Sequence, residues 1–575
     1  MAVPYLPRNF NPSTPAGANR VTQMVMEQVW PQAFVLDPDF QPETTGFIDD
    51  AEVVGLDPMT ITYQIDPKAT WSDGHPITAS DFAYNWHQQL RIDPLLPSAG
   101  VLAGYRDIRA IFGSNHGKTV TVVFSKPYSD WEGLFANLIP AHIAELGGWI
   151  GAFARFNPAE VISGGPFVVS AYVPGERLVL TRNDKYWGTP AHLRTIVFLV
   201  ERSDQTALAG LQIGSVSVAE VSAGPQVDNA IARGDERGEA LSETTTSSPV
   251  LWQLVFNLND PVLGNPAMRR ALAFATDRDE LAADSVNLAD PFNIGADSRV
   301  FSQGQPGAST EVLPDLRYDP IAAARLFKAL GYVPDASGHL RTFGLSTPLS
   351  LTVTGPTGNN VVDALELELQ AEWAASGIDL SIRSVPTSEL LNRVLPRGTY
   401  QLALAPYVIP TFPSWNAIIY TDSVLPSSPA SPPGRGAHIT GSGVTAGSSE
   451  LGGAGRSAAA GGSGKWLWSV PTRVGTEPGA ATEVAVTRNV TGLNDPRVGV
   501  LFEEAMSDLN ANSQAQTLSK LDALLSRDIP TLPLFQAPVS LVQRSDIVNL
   551  SESPSWAGPL WDAEDWAIQL TPSTG

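Results

Sequence analysis

The chain has 575 residues, 43% of them hydrophobic, with 36 Lys and Arg against 59 Asp and Glu and a formal charge of −23. That length exceeds a single core and suggests roughly three to four structural units, while the acidic balance excludes a nucleic-acid partner, which needs clustered Lys and Arg to bind phosphates. With no cysteine in the chain, disulfides, thiolate metal sites and Cys nucleophiles are excluded, and no apolar run reaches the roughly 18–20 residues of a spanning helix.

The first residues, MAVPYLPRNFNPSTPAG, carry neither a basic n-region nor an apolar h-region. Composition leaves two readings open, a cytoplasmic protein or one whose export segment lies upstream. Alternation predicts strands over 59–65 (MTITYQI) and 118–124 (KTVTVVF), and again in LVLTRN and TIVFLV. Between the first two lies TWSDGHPITASDFAYNW, Thr70 to Trp86. Ser72, Asp73, Gly74 and Pro76 form a turn there, and Thr78 with Asp81 has the spacing of a capping box that opens a helix over 79–91. Periodicity predicts further helices over 266–284, 320–330, 362–376 and 496–526. From Thr421 to Lys465 there is no aromatic residue and Gly, Ser, Ala and Pro dominate, which predicts a flexible surface insertion. Hairpin-like pairs in the first 260 residues, followed by alternating helix and strand patterns, predict an α/β protein of at least two lobes.

The chemistry-bearing motifs return mostly negatives. The seven histidines form no H-E-x-x-H and no close pair in sequence, so a metal site from local ligands is not expected. No G-x-S-x-G occurs, and GGSGKW lacks both the upstream Gly and the Ser or Thr of a phosphate loop. Paired acids such as Asp277 with Glu280 and Asp562 with Glu564 read as solvated helix faces. Core packing accounts for most of the 14 tryptophans, but Trp415 in PTFPSWN and Trp561 in SPSWAGPLWDAEDW lie in polar, turn-rich stretches and are candidate walls of a ligand cleft.

Five segments, taken together, resemble the family 5 extracellular solute-binding proteins, the peptide, opine and nickel receptors of ATP-binding-cassette importers. They are TWSDGHPITASDFAYNW, SGGPFVVSAYVPGERLVLTRNDKYWG (Ser163 to Gly188), FNLNDPVLGNPAMRRALAFATDRDEL (Phe256 to Leu281), YDPIAAARLFKALGY (Tyr318 to Tyr332) and DIPTLPLF (Asp528 to Phe535), in the family's order. The resemblance implies a bilobed periplasmic-binding-protein-like α/β fold (type II, cluster C), with an extra subdomain in the first lobe and ligand between the lobes. The expected division is 1–35, 163–257 and 532–575 in lobe 1, 36–162 in its inserted subdomain, and 258–531 in lobe 2, with crossings near Leu258 and Thr531. It also implies that Asp73 and Asp81 are structural, and ion pairing on a helix surface is the expected role of Arg269, Asp277 and Arg278.

By the same resemblance, Ala16, Gly17 and Ala18 offer backbone groups to ligand from lobe 1. Pro406, Tyr407 and Trp415 face them from lobe 2, with Trp252 and Trp561 as possible walls. No catalytic residue, metal or cofactor is implied. The implied partners are a peptide or other medium-sized solute and an ABC permease, for a monomer tethered outside the cytoplasm by a lipid anchor upstream of residue 1. Two departures bear on the ligand. The stretch Gly398 to Tyr420, where peptide-binding members place an Asp against the peptide amino terminus, holds no acid, and it holds no counterpart of the nickel branch's histidine. The phrases LIPAHIAE (138–145), RNDKYWG (182–188) and IVNLSESP (547–554) resemble an actinobacterial lipoprotein branch tied to mannolipid synthesis. That likeness raises the alternative of a non-transport protein that regulates a cell-envelope enzyme or binds a mannolipid.

Overall fold

The structure is a computed structural model that describes all residues except 15, 92–101, 237–239, 287–295, 309–316, 343–346, 358–359, 422–465, 470–488, 554–556 and 570–575. A four-stranded sheet near the N-terminus has the order Ala2–Val3, Thr195–Val200, Arg177–Arg182, Phe167–Val173. A separate five-stranded sheet contains Met59–Ile65 between Ile48–Leu56 and Thr119–Phe124, followed by Ile108–Ser114 and, at its edge, Trp466–Ser469. The strand Met59–Ile65 buries every second residue, as its alternation predicts.

The helix after the W-S-D-G turn runs Ala79–Gln89, and both halves of its capping box are made. Asp81 Oδ2 accepts from the Thr78 amide at 2.9 Å, while Oδ1 accepts from the Ala141 amide at 3.0 Å, so the carboxylate that starts one helix also docks the next, Ala141–Gly147. Trp71, Phe82 and Trp86 are fully buried beneath it. This part of the opening block is core and cap, which is what the resemblance implies for Asp81.

The largest sheet has six strands in the order Val218–Ser222, Thr531–Arg544, Leu241–Phe256, Leu402–Val408, Ser350–Pro356, Asp379–Val385. Two of these strands are long. The first part of Leu241–Phe256 pairs only with Thr531–Arg544, and the second part, from Val250 on, also takes Leu402–Val408. Register breaks fall between Ser247 and Leu251 and between Trp252 and Gln253.

Two helical readings are corrected by local chemistry. The stretch 266–284 is two helices, Pro266–Phe274 and Arg278–Val286. They part where the buried Thr276 hydroxyl bonds back to the Leu272 carbonyl at 2.8 Å and accepts the Trp373 indole N–H at 3.0 Å. The stretch 496–526 is likewise split into Pro496–Ser507 and Ala511–Asp528, the second capped by the Asn510 side chain on the Ser513 amide. Arg269 and Arg278 are not surface residues. They are 2% and 5% exposed: Arg269 spends its guanidinium on backbone carbonyls, while Arg278 donates to the Ala296 and Pro533 carbonyls and pairs with Asp297 at 3.2 Å. No helix among the described residues is long and apolar enough to cross a membrane. The insertion expected over 421–465 lies, after Thr421, outside the described residues.

Burial also sets a pH dependence. It pushes the carboxyls of Glu27 and Glu132 up to about 7 and that of Glu372 up to about 8. Such groups hold protons in the folded chain at pH values where the unfolded chain has released them. Their contribution is therefore complete below the ordinary Glu range and is lost as pH rises through 7 to 8. On the acid side, Arg497 and Arg341 hold Asp495 and Asp335 below the usual range, a contribution that goes as pH falls further. Thermal unfolding followed by circular dichroism is expected to show its highest midpoint near pH 5 and a steady fall to pH 8.5. A midpoint that rises over that interval would contradict these assignments.

Candidate functional site

The loop Asn11 to Asn19 is wound on itself. Thr14 N and Oγ1 both donate to the Asn11 carbonyl, and the Gly17 and Ala18 amides donate to the Thr14 carbonyl at 3.0 and 2.8 Å. A Cβ on Gly17 would lie 2.0 Å from the Asn11 oxygen, so glycine is required for this winding. The loop's base is tied to another segment, with Asn11 Nδ2 on the Trp149 carbonyl and Asn9 Nδ2 on that of Ile150. Ala16 is exposed and Ala18 half-buried. The amides of Gly17 and Ala18 are thus already engaged, which narrows what residues 16–18 offer to a ligand.

On the six-stranded sheet the candidates Trp252, Pro406 and Tyr407 separate. Trp252 pairs with Pro406, and Leu251 with Tyr407, so the two pairs point to opposite faces. Trp252, 6% exposed, packs with Met268, Leu272, Leu369 and Trp373 beneath the helices. It belongs to the second core, and the expectation of an open wall is corrected for this residue by the parity of the strand. Tyr407 stands on the other face with Leu251, Ala296 and Ile409. Its hydroxyl donates to Asn416 Oδ1 at 2.7 Å, and Asn416 in turn donates to the Val300 carbonyl at 2.7 Å. Burial raises the Tyr407 phenol well above its ordinary range, so it stays a neutral donor.

Trp415 reaches from its short helical turn, Pro413–Asn416, to the segment that carries Tyr128 and Gly133. Its indole N–H donates to the Tyr128 hydroxyl at 2.9 Å, and its ring, 4.9 Å from that of Phe412, lies over Gly133. Beside it the Ser414 hydroxyl donates to Asp130 Oδ2. Gln514 Nε2 donates to Asp130 Oδ1 at 2.7 Å and to Ser129 Oγ at 2.8 Å, and the Ser129 amide donates to the Met506 carbonyl at 2.7 Å. Asp130 is 2% exposed; burial raises its carboxyl, against the hydrogen bonds from Ser414, Gln514 and Ser129. Asp130, one of the acids that meet the acid-free stretch Gly398 to Tyr420, thus comes from a segment 284 residues away. Sequence reasoning had no local signal for Asp130. Trp561 stands apart from these contacts, half-buried, with its N–H on Ser551 Oγ at 3.0 Å.

A cavity of about 660 Å³ opens between Tyr420, Asn489, Leu493, Pro496, Val500 and Glu503, and none of the eight sequence candidates lines it. One cluster was not foreseen at all. Asp73, His75 and His142 bring one ligand atom each to within 4.8 Å of one another. The histidines come from two stretches that the sequence singled out separately, and nothing in either announces the other.

The sequence model of the "Bacterial extracellular solute-binding proteins, family 5 Middle" matches residues 50–425. Among curated relatives, the "Probable monoacyl phosphatidylinositol tetramannoside-binding protein LpqW" of Mycobacterium tuberculosis is 28% identical over 382 residues, 62% of this chain and 56% of that protein. The oligopeptide-binding protein OppA of Mycobacterium bovis is 30% identical over 338 residues, 57% of this chain and 54% of that one. The chain therefore spans about half the length of the curated relatives it matches. Two solved structures share the fold over nearly all of both chains. The periplasmic EDTA-binding protein EppA superposes with a TM-score of 0.79 at 23% identity, covering 99% of this chain and 96% of that one. The oligopeptide-binding protein AppA of Bacillus subtilis, in complex with a nonapeptide, gives 0.71 at 15%, covering 99% and 98%.

Proposed function

The chain belongs to the family 5 bacterial extracellular solute-binding proteins, and from that premise we propose that it is a non-enzymatic receptor. It holds an oligopeptide or another medium-sized polar molecule with apolar parts between two lobes and hands it to an ABC permease. One observation carries the reading: the long strands Leu241–Phe256 and Thr531–Arg544 pair in the largest sheet with a register break between Ser247 and Leu251, and we infer that they join the two lobes and that a hinge bends at that break. We place the lobes on either side of this break.

The proposed ligand surface is the loop Ala16, Gly17 and Ala18, together with Tyr407 and Trp415 and, at its edge, Trp561. Trp252 and Pro406 support it from behind the sheet. The contact of Trp415 and Ser414 with Tyr128 and Asp130 would be the latch of the closed form, the state a permease reads. The stretch Gly398 to Tyr420 holds no acid and Asp130, which meets it, already accepts from three side chains, so a free-amine peptide anchored by a carboxylate at this place is disfavoured. Family membership and two mycobacterial relatives described as lipoproteins support a lipid-anchored place outside the cytoplasm.

A second reading rests on the LpqW likeness, which spans more of this chain than the OppA likeness does. On that reading the ligand is a mannolipid and the partner a cell-envelope enzyme. Thermal unfolding with and without a mixture of di- to hexapeptides separates the two. Ligand at about 100 times its dissociation constant adds about 2.7 kcal/mol to the native state, so a peptide receptor is expected to show a clear upward shift. That shift should shrink in Tyr407→Ala and Trp415→Ala. No shift with peptides, together with a shift on mannolipid fragments, would replace the first reading with the second.

A further inference from the structure

We propose that Asp73, His75 and His142 form a binding site for a late first-row divalent cation, with Zn²⁺ as the reference ion, on the subdomain and separate from the ligand cleft. Asp73 Oδ2 lies 3.1 Å from His75 Nδ1 and 2.8 Å from His142 Nε2. Metal–ligand bonds of about 2.0–2.2 Å in a tetrahedron put donor atoms roughly 3.3–3.5 Å apart. The two donor pairs that share the carboxylate therefore need to open by only a few tenths of an ångström to admit an ion.

The donors are held by backbone on two sides. Asp73 and His75 sit on a turn closed by the Trp71 amide on the His75 carbonyl and the Gly74 amide on the Trp71 carbonyl, both at 2.8 Å. Gly74 supplies the φ of 96° that this turn needs. His142 follows Ala141, whose amide is fixed on Asp81 Oδ1 at 3.0 Å. Two imidazoles are thereby brought to one carboxylate oxygen with their ring centroids 4.3 Å apart and their planes 28° from parallel.

The chemistry of the set selects the ion. Two imidazole nitrogens and one carboxylate oxygen suit Zn²⁺, Ni²⁺ or Cu²⁺, while Ca²⁺ and Mg²⁺ take oxygen ligands. The side chains are 28%, 62% and 28% exposed, which leaves room for water or a small anion at a fourth position. An ion there would clip the W-S-D-G turn to the helix Ala141–Gly147, two parts of the subdomain far apart in sequence.

The test is calorimetric titration of tag-free, chelator-treated full chain with ZnCl₂ at pH 7.5. One equivalent is expected to bind, at least tenfold more weakly to Asp73→Asn or His142→Gln and not at all to the His75→Asn/His142→Gln double variant. His339→Gln, which removes another exposed His–Asp pair, with Asp379 at 3.2 Å, is the control and should bind as the parent does. Zn²⁺ should raise the unfolding midpoint of the parent and of the His339 variant but not of the double variant, whose midpoint in chelator should equal the parent's. Absence of binding to the parent, or binding that survives the double substitution, would show a hydrogen-bonded cluster only and overturn the proposal.

Discussion

An Arg269→Ala variant is expected to lose about 3–5 kcal/mol of stability, the range for uncovering buried partners of a charged group. The side chain leaves the helix Pro266–Phe274 and ends where the helix Ala511–Asp528 stops. Its Nε donates to the carbonyls of Asp528 and Ile529 at 2.8 and 3.0 Å, Nη1 donates to that of Leu263 at 2.6 Å, and Nη2 returns to Asp528. The last carbonyls of a helix have no intrahelical donor, and the macrodipole favours a cation beside them. Ile529 turns the chain away with a left-handed φ of 46°, so the backbone itself closes only part of that end. Burial lowers the guanidinium to about 10, against the charge of Asp528, and it therefore remains charged at neutral pH. Removing it takes the side-chain donor from three carbonyls. Arg269→Lys should recover less than half of the loss, because one ammonium cannot span three acceptors in a fixed fork. Denaturant unfolding followed by tryptophan fluorescence gives the measurement, and a loss below about 1 kcal/mol would show that the contacts are incidental.

Why such a residue reads as a surface ion pair in sequence is instructive. Arg269, Asp277 and Arg278 read as charges on the surface of one helix, and periodicity carries no information about a helix end more than 250 residues away. Legibility follows the range of the interaction. The strand Met59–Ile65 and the Thr78–Asp81 cap are decided within a few residues, and both form as their local patterns predict. The break at Thr276 depends on a tryptophan from another helix, and the pattern over 266–284 therefore reads as continuous. The candidate site fares worst for the same reason. Trp415 is visible as an aromatic in a polar stretch, but its target Tyr128 is 287 residues away, and Asp73 and His142 are 69 apart. The face on which Trp252 lies follows from its register with Pro406, a pairing between distant strands that no single stretch encodes.

Gly133→Ala should act as a wedge in the contact between Trp415 and the subdomain. An added Cβ would lie 2.5 Å from Trp415 Cζ2 and 2.7 Å from Phe412 Cε2, distances that neither ring tolerates. Gly133 does not have a left-handed backbone, so alanine itself fits the short turn Trp131–Gly133. The strain can be relieved by tilting the rings or by parting the lobes. Ring movement is restricted by the Trp415 N–H on Tyr128 and by the Ser414 hydroxyl on Asp130, and two paired strands with register breaks are the softer element. Overpacking of this kind costs about 1–3 kcal/mol. Charged against the closed form alone, about 2 kcal/mol weakens ligand binding on the order of 30-fold while leaving each lobe's own unfolding nearly unchanged. Small-angle scattering should report a larger radius of gyration for the liganded variant than for the parent. The Gly133→Ala/Trp415→Ala double variant separates wedge from local damage. With the indole gone only Phe412 still opposes the added methyl, so Gly133→Ala should cost less in a Trp415→Ala background than in the parent, and the two substitutions should be far from additive. Unchanged affinity and unchanged scattering in Gly133→Ala would mean that Trp415 and Gly133 meet without governing closure, and the latch would have to be sought elsewhere along the interface between the lobes.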